Sequence, residues 1–327
     1  MKTSRHLPVA LALGGVSLLA TLSGCGDVAP PEMMMPPPPP AVDPEQLHPS
    51  AAAVTAARAR VAARPYETKL PAQYSDQKNW PLIVLLHGYG ANGVGQDLYF
   101  GLSHEQSRLG FLLALPEGTP DSKGKQFWNA TDVCCDFEHK GIDDVGYIDA
   151  IIDDMADRYR IDRRRVFLVG HSNGGFMSHR YACDRADRIA AIVSLAGDNY
   201  KDAAARCKPA SPVAVLQVHG DMDTSVPYPG GTDPDTGWSL PSALQSVGFW
   251  AGVDGCGMTT DTSAPDLDLD QDLAGPDTGV SKFPACKSGT AAELWTIRGG
   301  SHVPNFVRPD WTNSIWAFLS AHPKSVQ

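Results

Sequence analysis

One pentapeptide in this chain has the residue types and the spacing of an activated serine. Gly170-His171-Ser172-Asn173-Gly174 fits the pattern G-x-S-x-G, with an apolar strand expected before it and a helix after it. Glycines are needed on both sides because larger side chains would collide in so tight a turn. The turn lifts the serine hydroxyl above the sheet and points the helix N-terminus at a developing negative charge. The pattern therefore predicts Ser172 as a nucleophile.

A serine hydroxyl at its ordinary pKa is a weak nucleophile, so a general base and an orienting carboxylate are expected later in the chain. Asp223 lies a few residues beyond an expected strand, where its loop can reach an imidazole. Asp221 is the alternative acid, although it is also placed to cap the turn. His302 follows two glycines and a serine beyond a later strand, and we predict it as the general base.

An acyl-transfer site also needs two backbone N–H groups to stabilise the oxyanion. We expect one from Asn173, directly after the nucleophile, and one from Tyr89 in the glycine-rich turn His87-Gly88-Tyr89-Gly90. His87 is expected to bond its own loop rather than to act as a second base.

The elements that must position these residues alternate between strand and helix. Continuous apolar runs predict strands buried on both faces, and apolar residues spaced three and four apart predict helices. The pattern therefore predicts a single α/β domain over residues 65–327, with a mainly parallel central sheet and helices on both faces. The expected strands are Leu82–Leu86, Phe111–Leu115, Val166–Val169, Ile192–Leu195, Val213–Val218 and Leu294–Ile297; the expected helices are Val145–Tyr159, Gly174–Arg185 and Asn313–Ala321.

Composition excludes several other classes of protein. The 327 residues carry 27 Lys plus Arg against 37 Asp plus Glu, a net charge of −10, which argues against a nucleic-acid partner. A hydrophobic content of 43% excludes wholesale disorder. No cofactor and no metal are expected, because no phosphate-cradling glycine loop or metal-spaced His/Cys cluster occurs. Calcium bound by the alternating aspartates of the 266–272 loop remains an alternative to a solvated acidic loop.

The amino terminus has the features of a lipoprotein export signal. Lys2 and Arg5 precede an apolar run that ends in Leu22-Ser23-Gly24-Cys25. These last four residues resemble the bacterial lipobox, whose cysteine carries the lipid. We therefore predict a signal peptide over residues 1–24 and lipidation of Cys25, giving an exported protein anchored to a membrane. An ordinary signal peptide that contains a cysteine is the alternative.

Residues 25–64 read as a tether between this anchor and the domain. Seven prolines between Pro30 and Pro40 favour extended polyproline II. The alanine-rich stretch Ala51–Ala63 is compatible with one short helix or with a flexible chain.

Taken together, these motifs give the chain a family resemblance over Tyr66 to about His322. It resembles the polyhydroxybutyrate depolymerase and feruloyl esterase group of secreted α/β hydrolases. The resemblance implies an α/β-hydrolase fold and a serine esterase that hydrolyses carboxylic esters through an acyl-enzyme, and it selects Asp223 over Asp221. The stretches that carry it are Pro81–Gly88, Trp128-Asn129 with Cys134-Cys135, Asp143–Ile148, Gly170–Gly175, His219-Gly220 with Asp223 and Val226-Pro227-Tyr228, Glu293–Ile297 and Gly300-Ser301-His302.

The resemblance also places the loop that holds Phe127 and Trp128 near the substrate pocket. Aromatic walls there would favour flat acyl groups, although the alternative is that both rings fill the core. The same triad serves peptidases and acyltransferases, so these activities stay open, as does a non-catalytic binding lipoprotein.

The six cysteines that remain after Cys25 suit an oxidising compartment. Cys183 with Cys207 and Cys256 with Cys286 are the expected bridges, because each pair flanks one strand or one loop. Cys134 and Cys135 are left as a vicinal disulfide or as free thiols.

Overall fold

In a computed structural model, which describes residues 49–232 and 239–325, strands and helices alternate along the chain. The expected signal peptide, the lipidation site Cys25 and the proline-rich part of the tether lie outside these residues. The strands are β1 (Glu67–Lys69), β2 (Trp80–Leu86), β3 (Leu112–Leu115), β4 (Thr119–Pro120), β5 (Gln126–Phe127), β6 (Ile161–His171), β7 (Ala191–Leu195), β8 (Ala214–Gly220), β9 (Gly231–Thr232), β10 (Ser239–Leu240), β11 (Thr278–Phe283) and β12 (Ala292–Ile297). The α-helices are α1 (Ala51–Ala63), α2 (Gly93–Phe100), α3 (Leu102–Leu109), α4 (Asp144–Arg158), α5 (Asn173–Asp184), α6 (Ala203–Arg206), α7 (Ala243–Val253) and α8 (Asp310–Ala321).

Eight of the strands form one sheet in the order β1-β3-β2-β6-β7-β8-β12-β11. The six central strands are parallel, and the edge strands β1 and β11 pair antiparallel with β3 and β12. The predicted mainly parallel α/β sheet is therefore confirmed, and its edges add the two antiparallel strands that the apolar runs did not indicate.

Hydrophobic cores cover both faces of this sheet. Along β2, Leu82 and Val84 pack into one core together with Ile148 of α4, while Ile83 packs into the other with Ile315 of α8. A strand whose alternate residues are buried on opposite faces must be apolar throughout, which explains the continuous run in the sequence.

Helix α1 extends the folded body into the segment that the sequence assigned to the tether. Ser50 caps the helix by accepting a hydrogen bond from the Ala53 N–H at 3.2 Å. Arg60 then pairs with Asp143 and Arg64 with Asp144 at the start of α4, each at 2.6 Å. The folded body described by the structure thus begins at α1 rather than at residue 65. None of the described helices is both long enough and apolar enough to cross a membrane.

Candidate active site

Ser172 stands in a strained turn between β6 and α5. Its backbone adopts φ 53° and ψ −120°, a conformation that residues other than glycine rarely adopt. Its N–H donates to Leu195 O at 2.8 Å. A Cβ on Gly170 would lie 2.1 Å from Gly174 O, and one on Gly174 would lie 2.2 Å from Leu86 O. Only glycine fits either position, which is the physical basis of the G-x-S-x-G spacing.

His302 and Asp223 meet on loops that follow neighbouring parallel strands. The register pairs Ile297 of β12 with Gly220 of β8, so the loops after both strands leave the sheet side by side. His302 Nδ1 lies 2.7 Å from Asp223 Oδ2, and the Asp223 side chain is fully buried. Asp221, the alternative acid, instead accepts the Gly299 N–H at 2.6 Å and ties the two loops together.

The Asp223 carboxylate is held ionised despite its burial. Burial alone would raise its pKa, but the His219 imidazole 3.3 Å away and hydrogen bonds from His302 and the Val226 N–H hold the pKa of Asp223 well below its ordinary value. Its Oδ1 accepts the N–H groups of Ser225 and Val226 at 2.8 and 2.9 Å. A negative charge fixed in this way keeps the proton of His302 on Nδ1 and leaves Nε2 free to accept one.

His171, which the sequence analysis did not single out, links the serine turn to the histidine loop. Its Nε2 donates to His302 O at 2.9 Å, and the two imidazole rings lie 5.1 Å apart. Burial lowers the pKa of His171 to about 4, so the ring is neutral at neutral pH. Because His171 precedes Ser172 directly, this bond places the His302 loop beside the serine turn.

The two expected oxyanion residues, Tyr89 and Asn173, each belong to a segment close to Ser172. Asn173 is the first residue of α5, and the Gly88 backbone next to Tyr89 passes so close that a Cβ there would lie 3.5 Å from the Ser172 Cβ. In the described part of the chain neither the Tyr89 nor the Asn173 N–H donates a hydrogen bond.

The Asn173 side chain fastens this side of the site to the loop after β5. Its Oδ1 accepts the Trp128 N–H at 2.7 Å, and its Nδ2 donates to Trp128 O at 2.9 Å. The Trp128 indole donates to His87 O at 2.9 Å. His87 in turn accepts the Gly118 N–H at 2.8 Å through Nε2, and burial lowers the pKa of His87 to about 4. His87 is thus a neutral loop histidine, as the sequence analysis expected.

The structure gives Phe127 and Trp128 a different role from the expected pocket wall. Their side chains are 1% and 0% exposed, so both rings fill the core and hold the loops from inside. The exposed aromatic ring on this side is Phe137, which is 64% exposed and packs edge-on against Tyr89 at 5.8 Å. Nothing in the sequence pattern separated Phe137 from the buried rings, because exposure depends on how the 131–143 loop folds back.

The six described cysteines form three disulfides. Cys183 pairs with Cys207 and Cys256 with Cys286, as expected, and Cys134 pairs with its neighbour Cys135. Among residues 49–232 and 239–325, no group of three or more His, Cys, Asp or Glu side chains is arranged to hold a metal ion. In the acidic loop, Asp277 accepts backbone N–H groups of Leu269 and Asp270.

The chain is similar to known esterases. It matches the Phospholipase/Carboxylesterase family over residues 71–233. It is 31% identical over 229 residues to a protein named putative esterase NocK of Nocardia uniformis subsp. tsuyamanensis, covering 67% of this chain and 65% of that protein. It is 28% identical over 253 residues to feruloyl esterase B of Piromyces equi, covering 74% of this chain and 43% of that protein.

The chain thus spans less than two thirds of the length of these relatives. Among solved structures, acetyl xylan esterase from Aspergillus awamori has the same fold, with a TM-score of 0.55 at 16% identity over 78% of this chain and 93% of that chain. The chain therefore has an α/β-hydrolase fold and is similar in sequence to carboxylesterases and feruloyl esterases.

Proposed function

We propose that this protein is a serine esterase that hydrolyses carboxylic esters through Ser172, His302 and Asp223. The observation that carries the proposal is the 2.7 Å bond between His302 Nδ1 and Asp223 Oδ2, on loops that flank the strained Ser172 turn. Relatedness to proteins named as esterases supports ester hydrolysis over other acyl transfers.

The proposed reaction has two steps. His302 Nε2 removes the Ser172 proton as the hydroxyl oxygen attacks the ester carbonyl, and Asp223 stabilises the imidazolium that forms. The N–H groups of Tyr89 and Asn173 bind the tetrahedral oxyanion. His302 then gives its proton to the leaving alcohol, and the acyl-enzyme is hydrolysed by water in the same sequence of proton transfers.

Turnover and covalent labelling of Ser172→Ala test this proposal. We expect kcat on an aryl ester to fall by several orders of magnitude, roughly 10⁴-fold or more, with an unchanged circular dichroism spectrum. A fluorophosphonate should label the wild type and not the variant. The control is Ser320→Ala, an exposed serine on α8, which should keep both turnover and labelling. Labelling that persists in Ser172→Ala would remove this serine from the nucleophile role, and an unlabelled wild type would favour a non-catalytic binding protein.

Soluble esters with flat or small acyl groups are the proposed substrates. The relative named feruloyl esterase supports this class. The exposed Phe137 ring beside Tyr89 supports it too, because stacked rings add about 0.5–1.5 kcal/mol beyond burial. We expect hydrolysis of methyl ferulate or of short-chain aryl esters, and little release from crystalline polyhydroxybutyrate. Clearing of a crystalline film without activity on soluble esters would contradict this substrate class.

Export and lipid anchoring at Cys25 complete the proposal. The lipobox-like Leu22-Ser23-Gly24-Cys25 supports it, and three disulfides suit an oxidising compartment. An anchored enzyme acts on esters that diffuse to the membrane surface, which agrees with a soluble substrate.

A further inference from the structure

A chain of four buried polar side chains leads to Asp223. It leads from Trp250 on α7 through His179 on α5 to Gln217 and His219 on β8. All four side chains are 0% exposed. Burial of a polar group costs free energy unless the group is hydrogen-bonded, so apolar packing alone does not explain a connected row of such groups.

The hydrogen bonds of this row have one direction. The Trp250 indole nitrogen can only donate, and it lies 3.0 Å from His179 Nδ1. His179 therefore carries its proton on Nε2, which donates to Gln217 Oε1 at 3.1 Å. Burial lowers the pKa of His179 to about 4, in agreement with a neutral ring.

The orientation of the Gln217 amide determines which nitrogen of His219 carries the proton. With its Oε1 bonded to His179, its amide nitrogen donates to Gly197 O at 2.7 Å and points at His219 Nδ1 at 3.3 Å. His219 Nδ1 consequently accepts, and its proton lies on Nε2. That N–H donates to Val226 O at 2.8 Å and lies 3.3 Å from Asp223 Oδ2.

Asp223 Oδ2 thus faces two imidazole N–H groups, His302 Nδ1 at 2.7 Å and His219 Nε2 at 3.3 Å. We propose that His219 is a positioning residue for the reaction: its Nε2–H orients Asp223 and shares the negative charge that Asp223 presents to His302, while Gln217 selects the tautomer that makes this possible. The proposal rests on the esterase function proposed above. His219 is fully buried and contacts neither Ser172 nor the expected oxyanion donors in the described residues.

The other groups around His219 do not change the direction of the expected effect. Burial lowers the pKa of His219, but Asp223 and the buried Asp198 raise it above its ordinary value. A proton on Nδ1 would nevertheless face the Gln217 amide hydrogens. The Tyr228 ring packs edge-on against His219 at 5.6 Å, and its hydroxyl bonds Thr296.

Loss of the His219 donor should strengthen the pull of Asp223 on the His302 proton. Without that N–H, Asp223 Oδ2 interacts only with the His302 imidazole, so more of its negative charge is available to stabilise the imidazolium form of His302. If His219 were cationic, its removal would also favour the imidazolium form of His302, because a neighbouring positive charge would be lost. The acid limb of the kcat/KM profile, which reports protonation of the general base, should therefore move to higher pH.

The test compares His219→Leu, which removes the donor, with His219→Gln, whose amide can replace the Nε2–H. For His219→Leu we expect kcat to fall about tenfold, KM to stay within about twofold, and the acid limb to rise by roughly half a pH unit. His219→Gln should recover most of kcat and return the limb toward the wild-type pH. An unchanged limb in His219→Leu, or no recovery in His219→Gln, would overturn the proposal.

A measurement on the wild type keeps the proposal testable if His219→Leu does not fold. In protein with ¹⁵N-labelled histidine, contacts to the Tyr228 ring identify the His219 signals. We expect the neutral ring at about pH 8 to carry its proton on Nε2, and an Nδ1–H tautomer at that pH would overturn the assignment. This readout does not need ester turnover. A wild type that neither turns over esters nor reacts with fluorophosphonate would overturn the proposed function instead.

Discussion

Arg64 is expected to hold the N-terminal helix onto the domain, and its replacement by methionine tests this. Its guanidinium donates to Asp144 Oδ1 at 2.6 Å and to Glu117 O at 2.7 Å. It also lies over the Tyr147 ring at 4.0 Å and the Trp128 ring at 5.2 Å. Methionine keeps much of the apolar stem but removes the charge and both hydrogen bonds.

The size of the effect follows from the burial of this ion pair. The Asp144 side chain is 0% exposed and that of Arg64 is 20% exposed. Removal of one partner of a buried pair costs about 3–5 kcal/mol, because the remaining charge is left without compensation. Asp144 Oδ2 keeps the Asn129 N–H at 2.6 Å, so we expect about 3 kcal/mol. In a folded body of this size, that is roughly 5 °C in Tm.

Arg58→Met is the matched control on the same helix. Arg58 pairs with Asp157, but its side chain is 63% exposed, and exposed pairs contribute about 0–1 kcal/mol. Urea unfolding and thermal melting of both variants, at one scan rate and one pH, measure the difference. A chain that starts at residue 65 should lose at least as much stability as Arg64→Met. Equal stability of the two variants, or a loss below about 1 kcal/mol in Arg64→Met, would show that Arg64 does not hold α1 on the domain and that α1 belongs to the tether.

Three further predictions follow from other parts of the molecule. Burial raises the pKa of Asp254 from 3.8 to about 7, so ionisation of this carboxyl opposes folding progressively from pH 4 to 7 and fully above pH 7. Asp254→Asn should therefore raise the free energy of unfolding at pH 8 by up to about 4 kcal/mol and hardly change it at pH 4. A gain of equal size at both pH values in urea titrations would contradict this. The Cys183–Cys207 bridge closes a separation of 24 residues, so replacing both cysteines by serine should lower stability by about 3 kcal/mol, and a Tm insensitive to this change would contradict the pairing. Cys25→Ser should release the protein from the membrane fraction, and a variant that still sediments with membranes would argue against the lipid anchor.

The local sequence determined the strands and the serine turn because these depend on neighbouring residues. A strand buried on both faces must be apolar at every position, so β2 and the buried Val166–Val169 part of β6 were visible as continuous runs, whereas the charged first half of β6 was not. The turn at Ser172 needs glycines at fixed offsets, since any Cβ at Gly170 or Gly174 meets backbone within 2.2 Å. The expected sheet and the expected position of Ser172 therefore required no knowledge of distant contacts.

Only the tertiary structure decided which polar residues lie together and which rings are buried. The bond between His171 and His302 joins residues 131 apart, and Arg64 meets Asp144 across 80 residues. No local pattern encodes such a contact, because each partner alone reads as an ordinary loop histidine or an ordinary surface charge. Phe137 and Trp128 are both aromatic residues in adjoining loops, yet one is 64% and the other 0% exposed. Burial is set by how many separate segments converge on a side chain, and only the folded chain brings these segments together.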